Sequence, residues 1–369
     1  MKIIVLQDHL RSGGTERHSI LLAREFAQLG HEAELVTFRP GGKLAPTVTG
    51  RHRALQPFDT GIDWLAPGLS ASVFRSEPDI VLCMGKTTNC FAGRIQRRAI
   101  RRHASTRVVA TLRAGGVLPG FYYSSVRQAA HLVTNSREAR DILVKNHGLD
   151  RSRISVIYNS LVFPEAAPTR DLELRARLGA GPKTKVLVSV GMFRPEKNQR
   201  ALIELAAGFP ESWDWQMWMA GEGPQKAACE RLASRLGVSG KVIFLGYQPD
   251  PAPFYRAADI AVHASREEAL SNFLIEAQAH GLPAVAYRAL GIEECFVAGE
   301  TGWMVEQGDA SGFKKALAGL MGEPSEETAR RADQARHFAR TSFDPARQVA
   351  AYLSLFEALL GGQNPGSQP

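Results

Sequence analysis

The chain has 369 residues, with 45 Lys+Arg against 37 Asp+Glu, a formal net charge of +8, and a composition 44% hydrophobic and 22% charged. These values are those of a globular protein and exclude a largely disordered chain, and the length suits two domains. The longest apolar stretch near the start, Ile3 to Leu6, falls far short of a secretory core or a membrane span of about 20 residues. The cysteines Cys83, Cys90, Cys229 and Cys295 form no CxxC pair, which points away from a disulfide framework or a structural zinc site. A cytoplasmic, two-domain protein is expected.

The chain opens with a β-run, Lys2 to Leu6, then a glycine turn, Ser12-Gly13-Gly14-Thr15. An amphipathic helix is predicted over Glu16 to Leu29, with Ile20, Leu21, Ala23, Phe26 and Ala27 on its apolar side and Gly30 as its stop. A strand over Glu34 to Phe38 completes a βαβ unit, which requires parallel strands and a right-handed crossover. Gly41 to Gly61 reads as polar loop. Further strands are predicted at Asp79 to Cys83, Arg107 to Thr111, His131 to Thr134 and Ile154 to Ile157.

The proline-containing stretch VFPEAAPTR, from Val162, reads as a linker into a short helix, Leu172 to Leu178. A second alternation follows: strands at Val186 to Val190, Trp215 to Ala220, Val242 to Leu245, Ile260 to His263 and Pro283 to Tyr287. Helices are predicted at Gln199 to Ala207, Pro224 to Leu236, around Phe254 to Ala257, and at Asn272 to His280. The last helix, Pro345 to Leu360, follows the second sheet and is expected to pack back on the first domain. The tail from Gly361 is Gly/Pro/Gln-rich and expected to be disordered. The expected organisation is α/β, two doubly wound Rossmann-like domains (1–163 and 164–342) facing a central cleft, then a segment 343–369 holding the crossing-back helix and the tail. Open sheets of this kind bind ligands beyond the carboxyl ends of their strands.

Charge is unevenly placed. Residues 1–170 carry 24 Lys+Arg against 13 Asp+Glu, and residues 171–369 carry 21 against 24. The excess peaks in RIQRRAIRRHASTR, where Arg94, Arg97, Arg98, Arg101 and Arg102 recur at helical steps around Ile95, Ala99 and Ile100. Such a face suits an anionic membrane surface, at about 1 kcal/mol per basic residue, and also reads as an ordinary solvated face. No aromatic interleaving or motif supports nucleic acid.

Four strand-to-helix turns could carry chemistry. SGGTER lets backbone amides approach an anion at a helix start, and equally reads as a tight turn with no ligand. There is no GxGxxG, which argues against a nicotinamide enzyme. SVGMFRPEKNQ places Arg194 and Lys197 at a strand mouth, a guanidinium and an ammonium suited to a diphosphate or simply a surface pair beside Glu196. MAGEGPQ is a third glycine turn, which by itself could be punctuation. SREEALSNFLIEAQAHGLP sets Glu268 and Glu276 seven residues apart around a helix start near Asn272. Carboxylates there suit sugar hydroxyls and amides suit phosphate, although Glu267, Glu268 and Glu276 also read as solvated acids.

Together, SGGTERHSILLAREFAQLGHEAELVTF, VIYNS, VGMFRPEKN, MAGEGP, VIFLGY, AADIAVHASREEALSNFLIEAQAHGLPAVA and GETGWMV resemble glycosyltransferase family 4, the retaining nucleotide-sugar transferases of GT-B fold. The resemblance implies that Glu276 holds the ribose and Glu268 the donor sugar, while Arg194 and Lys197 neutralise the diphosphate. The amides of Ser271, Asn272 and Phe273 would take the distal phosphate, with Gly13 and Gly14 approaching it. Gly221 and Glu222 complete the donor set, and Gly246 and Tyr247 would flank the base. Arg113, Glu16 and Asn89 are the candidates in the first domain for the acceptor.

The chain departs from the family pattern at three positions. Met192 stands where the family often has Arg, with Arg194 as substitute. Ala269 stands where a glycine is usual, and Arg113 where many members carry a histidine. There is no Asp-x-Asp pair, so neither a metal nor another cofactor is expected. The implied activity is metal-independent transfer of a hexosyl group, with a UDP-sugar as first choice of donor. The implied acceptor is a glycan or lipid-linked one in bacterial-type cell-envelope polysaccharide or lipopolysaccharide synthesis, met at the inner face of the plasma membrane. A non-catalytic nucleotide-sugar-binding homologue and a GT-B sugar-nucleotide epimerase are the alternatives.

Overall fold

Strand β1 (Lys2–Gln7) is buried from Ile3 onward and leads through the Gly13 turn into α1 (Gly14–Gln28), which buries His18, Ser19, Leu21, Leu22 and Phe26. Strand β2 (Glu32–Thr37) returns beside β1 in parallel. Then follow β3 (Arg51–Ala54), α2 (Leu69–Arg75), β4 (Ile80–Cys83), α3 (Lys86–Arg101), β5 (Arg107–Leu112), α4 (Gly120–Gln128), β6 (His131–Thr134), α5 (Arg137–His147) and β7 (Ile154–Val156). This computed structural model describes residues 1–113, 120–159, 161, 163 and 169–362. Among the described residues the first sheet has seven strands, ordered β3-β2-β1-β4-β5-β6-β7 and all parallel.

The region 41–61 is a correction to the polar-loop expectation. It contains a short 3₁₀ turn at Ala45–Thr47 and the strand β3, which pairs on one side only, with β2. An edge strand with one partner needs no apolar pattern, and RHRA shows none. Beyond β1, the Asp8 carboxylate accepts from the amides of Thr87 and Thr88, at 3.0 and 2.8 Å, and so caps α3 from another strand. Gly85 leaves room for this, since a Cβ there would collide with Asp8 Oδ1 and Gln7 Oε1.

The second sheet is reached through α6 (Leu172–Arg177). It comprises β8 (Lys185–Val190), α7 (Gln199–Ala206), β9 (Trp215–Ala220), α8 (Lys226–Arg235), β10 (Val242–Gly246), α9 (Ala252–Ala257), β11 (Ile260–His263), α10 (Asn272–Ala279), β12 (Ala284–Tyr287) and β13 (Gly302–Val305). Helices α11 (Ala310–Met321), α12 (Ser325–Ser342) and α13 (Pro345–Leu360) end the described chain. Among the described residues the order is β10-β9-β8-β11-β12-β13, again all parallel.

The chain divides into Met1–Leu161 with Pro345–Pro369, and Val162–Asp344. Of the expected linker 162–170 only residues 163, 169 and 170 are described, and the expected tail lies outside the described residues beyond Gly362. Each unit has its own core. In the first, Ile3, Val5, Leu22, Phe26, Leu82 and Val109 pack with Tyr352, Leu355 and Phe356 of α13, and the Phe26 and Phe356 rings meet edge-on at 5.7 Å. In the second, Leu187, Met217, Val262 and Val285 of the sheet pack with Leu202 of α7, Leu232 of α8 and Phe313 of α11.

Buried Arg175 ties α6 to the second sheet. Its guanidinium donates to the carbonyl of Ala257 at 2.7 Å and to Asp259 at 3.0 Å, so the charge is both paired and hydrogen-bonded, as burial demands.

Candidate functional site

In the second unit the strand order reverses between β8 and β11, and the turns beyond those two strands meet there. The turn after β8 contains Arg194, a 3₁₀ turn at Pro195–Lys197, and Asn198 in the left-handed region at φ 50°. The turn after β11 is fastened to it. Ser265 Oγ donates to the Glu196 carbonyl at 3.1 Å, and the Arg266 amide donates to the same carbonyl at 2.8 Å.

This fastening brings Lys197 and Glu268 together. Lys197 Nζ forms an ion pair with Glu268 Oε1, and His263 Nε2 lies 3.0 Å from the same oxygen. Glu268 is only 9% exposed. Burial alone would raise its pKa, but the Lys197 charge and the His263 hydrogen bond outweigh this and bring the carboxyl down to about 2. The site therefore holds a fixed carboxylate and a fixed ammonium. His263 is a site residue that sequence reasoning missed; its signal is its place as the last residue of β11, five residues before Glu268.

Helix α10 begins at Asn272, capped by Ser271 Oγ, which accepts from the Leu274 amide at 3.4 Å. Ser271 is 2% exposed, and the Phe273 ring is buried against those of Tyr255 and His263, at 6.1 and 5.7 Å. Anything Phe273 offers a ligand thus comes from its backbone. Glu276 lies one turn into the helix and accepts from the Tyr255 hydroxyl at 2.8 Å. The E-x7-E spacing places Glu268 in the loop and Glu276 on the helix. Ala269 needs no glycine-like backbone: among the described non-glycine residues, positive φ occurs at Glu77, His103 and Asn198. Instead Gly291, at φ 70°, admits the Ala269 carbonyl where a Cβ would collide with it.

The glycine turns after β8, β9 and β10 are laced together. The Gly191 amide donates to Ala220 O at 2.9 Å, Gly221 to Gly246 O at 2.7 Å, and Phe193 to Glu222 O at 3.0 Å. Gly221 holds φ 146°, and a Cβ there would overlap the Gly191 carbonyl. Met192 contributes its backbone, its carbonyl accepting from Gln199 Nε2 at 2.9 Å. Glu222 pairs with Lys226 at 2.7 Å. Arg194 is half exposed and lies 3.8 Å from Glu196. Tyr247, at 37%, is among the more exposed large apolar side chains.

In the first unit, Gly13 is the extended N-cap of α1, and Gly14 is the first helical residue. The Glu16 carboxylate folds back over the position a Gly13 Cβ would fill, so an acid of the chain's own lies at this helix start. Asn89, another acceptor candidate of this unit, lies in the interior. It is 1% exposed, its Nδ2 donates to Gly85 O at 2.7 Å, and its Oδ1 accepts from the Thr111 amide at 2.8 Å. Its side chain joins α3 to β5.

Arg113, directly after β5, donates to Asn159 Oδ1 and to the Tyr352 hydroxyl of α13. The glycines that follow it in TLRAGG lie outside the described residues. On α3 the arginines at 94, 97, 98, 101 and 102 are all exposed, while Ile95 and Ala99 are fully buried. Ile100 is a further correction: it is 64% exposed and stands among the arginines instead of joining the buried stripe.

Among the described residues no group of three or more His, Cys, Asp or Glu could hold a metal ion, and no helix is long and apolar enough to cross a membrane.

Two family models and several known proteins match the chain. The family described as glycosyl transferases group 1 matches residues 171–338, and that described as glycosyltransferase family 4 matches residues 12–161. The lipopolysaccharide core biosynthesis glycosyltransferase LpsE of Rhizobium meliloti is 35% identical over 181 residues, 49% of this chain and 52% of that protein. The match thus spans about half the length of this relative. A D-inositol 3-phosphate glycosyltransferase of Catenulispora acidiphila is 28% identical over 357 residues, 85% of this chain and 83% of the relative. The crystal structure of Anabaena HepE in complex with UDP and glucose superposes with a TM-score of 0.81 at 21% identity, covering 97% of this chain and 100% of that one. At that identity the likeness is one of fold.

Proposed function

The chain belongs to the family 4 and group 1 glycosyltransferases, and from that premise we propose that it moves a sugar from a nucleoside-diphosphate sugar, with retention at the anomeric carbon, to a glycan or glycolipid acceptor of the bacterial-type cell envelope. The observation that carries the reading is the Lys197–Glu268–His263 cluster at the reversal point of the second sheet, beside the start of α10. UDP is the favoured leaving group, in line with the UDP and UDP-glucose complexes of HepE. A lipopolysaccharide or related acceptor is in line with the name of LpsE.

Loss of a nucleoside diphosphate from the anomeric carbon builds negative charge on the departing phosphate, so pre-placed positive groups lower the barrier. Lys197 is held in place by its ion pair with Glu268 and needs little reorganisation to donate to that phosphate. Arg194, on the same turn, adds a forked donor. In this reading Glu268 accepts from donor-sugar hydroxyls and Glu276 from the ribose, while the α10 start receives the distal phosphate. The exposed arginines of α3, with Ile100 among them, suit contact with an anionic membrane holding the acceptor.

Calorimetric titration with UDP, GDP and ADP tests the reading directly. Binding of one nucleotide, followed by release of it from its sugar conjugate only when acceptor is present, supports transfer. Heat from none of them, or release that ignores the acceptor, overturns it.

A further inference from the structure

Among the described residues Arg113 has no counter-charge. Its two donors reach Asn159 Oδ1 and the Tyr352 hydroxyl, both neutral partners. Burial pushes the Tyr352 phenol up despite the pull of Arg113, so it stays protonated. Nearby His18 is held neutral, first by burial and then by Arg113 itself. Among the described residues no carboxylate lies within ion-pair distance of the guanidinium, and its Nε is buried without an acceptor. A half-buried cation with only neutral hydrogen-bond partners has lost hydration without regaining an opposite charge.

A second orphan sits beside it. Asn135 is 1% exposed; its Nδ2 donates to Asn159 Oδ1 at 3.4 Å, the same oxygen Arg113 uses, while its own Oδ1 is buried with no donor. Arg113, Asn135 and Asn159 follow the neighbouring strands β5, β6 and β7, so the three share one rim at the carboxyl end of the first sheet. A buried Nε without an acceptor and a buried Oδ1 without a donor therefore belong to two side chains that share a single amide oxygen.

We propose that Arg113, Asn135 and Asn159 form a binding site for a hydroxyl-bearing anion, a phosphate or carboxylate carried on a polyol or sugar. The anionic group would take the guanidinium, and an adjacent hydroxyl would donate to Asn135 Oδ1. Resting on the transfer reading above, this makes the acceptor an anionic one, selected by the first unit.

The test is calorimetric titration of the full chain with inorganic phosphate, glycerol 3-phosphate, malate and neutral glycerol, and separately with nucleoside diphosphates. Glycerol 3-phosphate or malate should bind and glycerol should not, the two positive arms separating phosphate from carboxylate as the preferred anion. Asn159→Asp, which sets a carboxylate against Arg113 without removing it, should weaken the anion at least tenfold and change nucleotide affinity less than twofold. Arg113→Gln should do the same.

Anion binding that persists in both variants overturns the site, as does failure of both anions to bind a chain that binds nucleotide. Loss of the anion under saturating nucleoside diphosphate overturns the acceptor assignment, because the site would then belong to the donor's own phosphates. If no nucleotide binds while the anion does so in an Asn159-sensitive way, the transfer reading fails and the anion site stands.

Discussion

Replacing Lys197 by methionine keeps the aliphatic stem and removes the ammonium, which separates two things the residue does. In the wild type the Glu268 carboxyl titrates at about 2 rather than near the ordinary 4.5. At about 1.4 kcal/mol per pH unit this gap corresponds to about 3 kcal/mol of stability. The pKa is depressed, so that stability is present above about pH 4.5 and lost as pH falls toward 2. In Lys197→Met the buried carboxylate keeps only His263, and burial then pushes its pKa upward. Urea unfolding at pH 7 should show a loss of about 2–3 kcal/mol, narrowing at pH 5 as the stranded acid takes up a proton.

The double variant Lys197→Met/Glu268→Gln removes both charges and should recover most of that loss. Turnover should behave differently. It should fall about 100- to 1,000-fold in the single variant and stay low in the double, because the leaving phosphate has lost a fixed donor. Wild-type turnover in Lys197→Met would refute the leaving-group role. A double variant as unstable as the single would refute the stranded-carboxylate account.

Arg175→Met should destabilise the second unit by about 1–3 kcal/mol by leaving the buried carbonyls of Ala257, Gly181 and Thr184 without this donor, while Asp259 keeps Arg170 and the Val186 amide. Tryptophan fluorescence during urea unfolding reports on it, since Trp213, Trp215, Trp218 and Trp303 all lie in that unit. Gly221→Ala should drive the Gly191 turn out of place and cut nucleotide affinity more than tenfold by calorimetry. Gly30→Ala, at φ 86° in open space, should lower thermal stability by about 1 kcal/mol and leave that affinity unchanged. Arg97→Glu/Arg101→Glu should reduce co-sedimentation with anionic vesicles more than tenfold without altering binding to neutral ones; equal binding of the wild type to both would count against membrane contact.

The second sheet was readable because β8, β9, β11 and β12 are short, buried, mostly apolar runs flanked by glycine or polar turns. The start of α10 was readable because Ser271 is a capping residue immediately before an apolar run. Strand β3 escaped because RHRA is held by one neighbour alone. Ile100 misled because it lies one residue past Ala99, which turns it about 100° around the helix from the buried line. His263 was visible as a strand end but not as a partner of Glu268, since that contact depends on a turn folding back. The Arg113–Tyr352 contact joins positions 239 residues apart, and no local spacing announces it.

Asp8 closes one anion site of the first sheet, the start of α3. At the reversal point of a doubly wound sheet, the helix start beside the first strand is where an incoming phosphate would dock. In this unit a tethered carboxylate already occupies that berth on the Thr87 and Thr88 amides, and Gly85 is shaped to let it stay. A visiting phosphate would have to evict a buried acid that has nowhere to go. The start of α3 is thereby closed to a second anion.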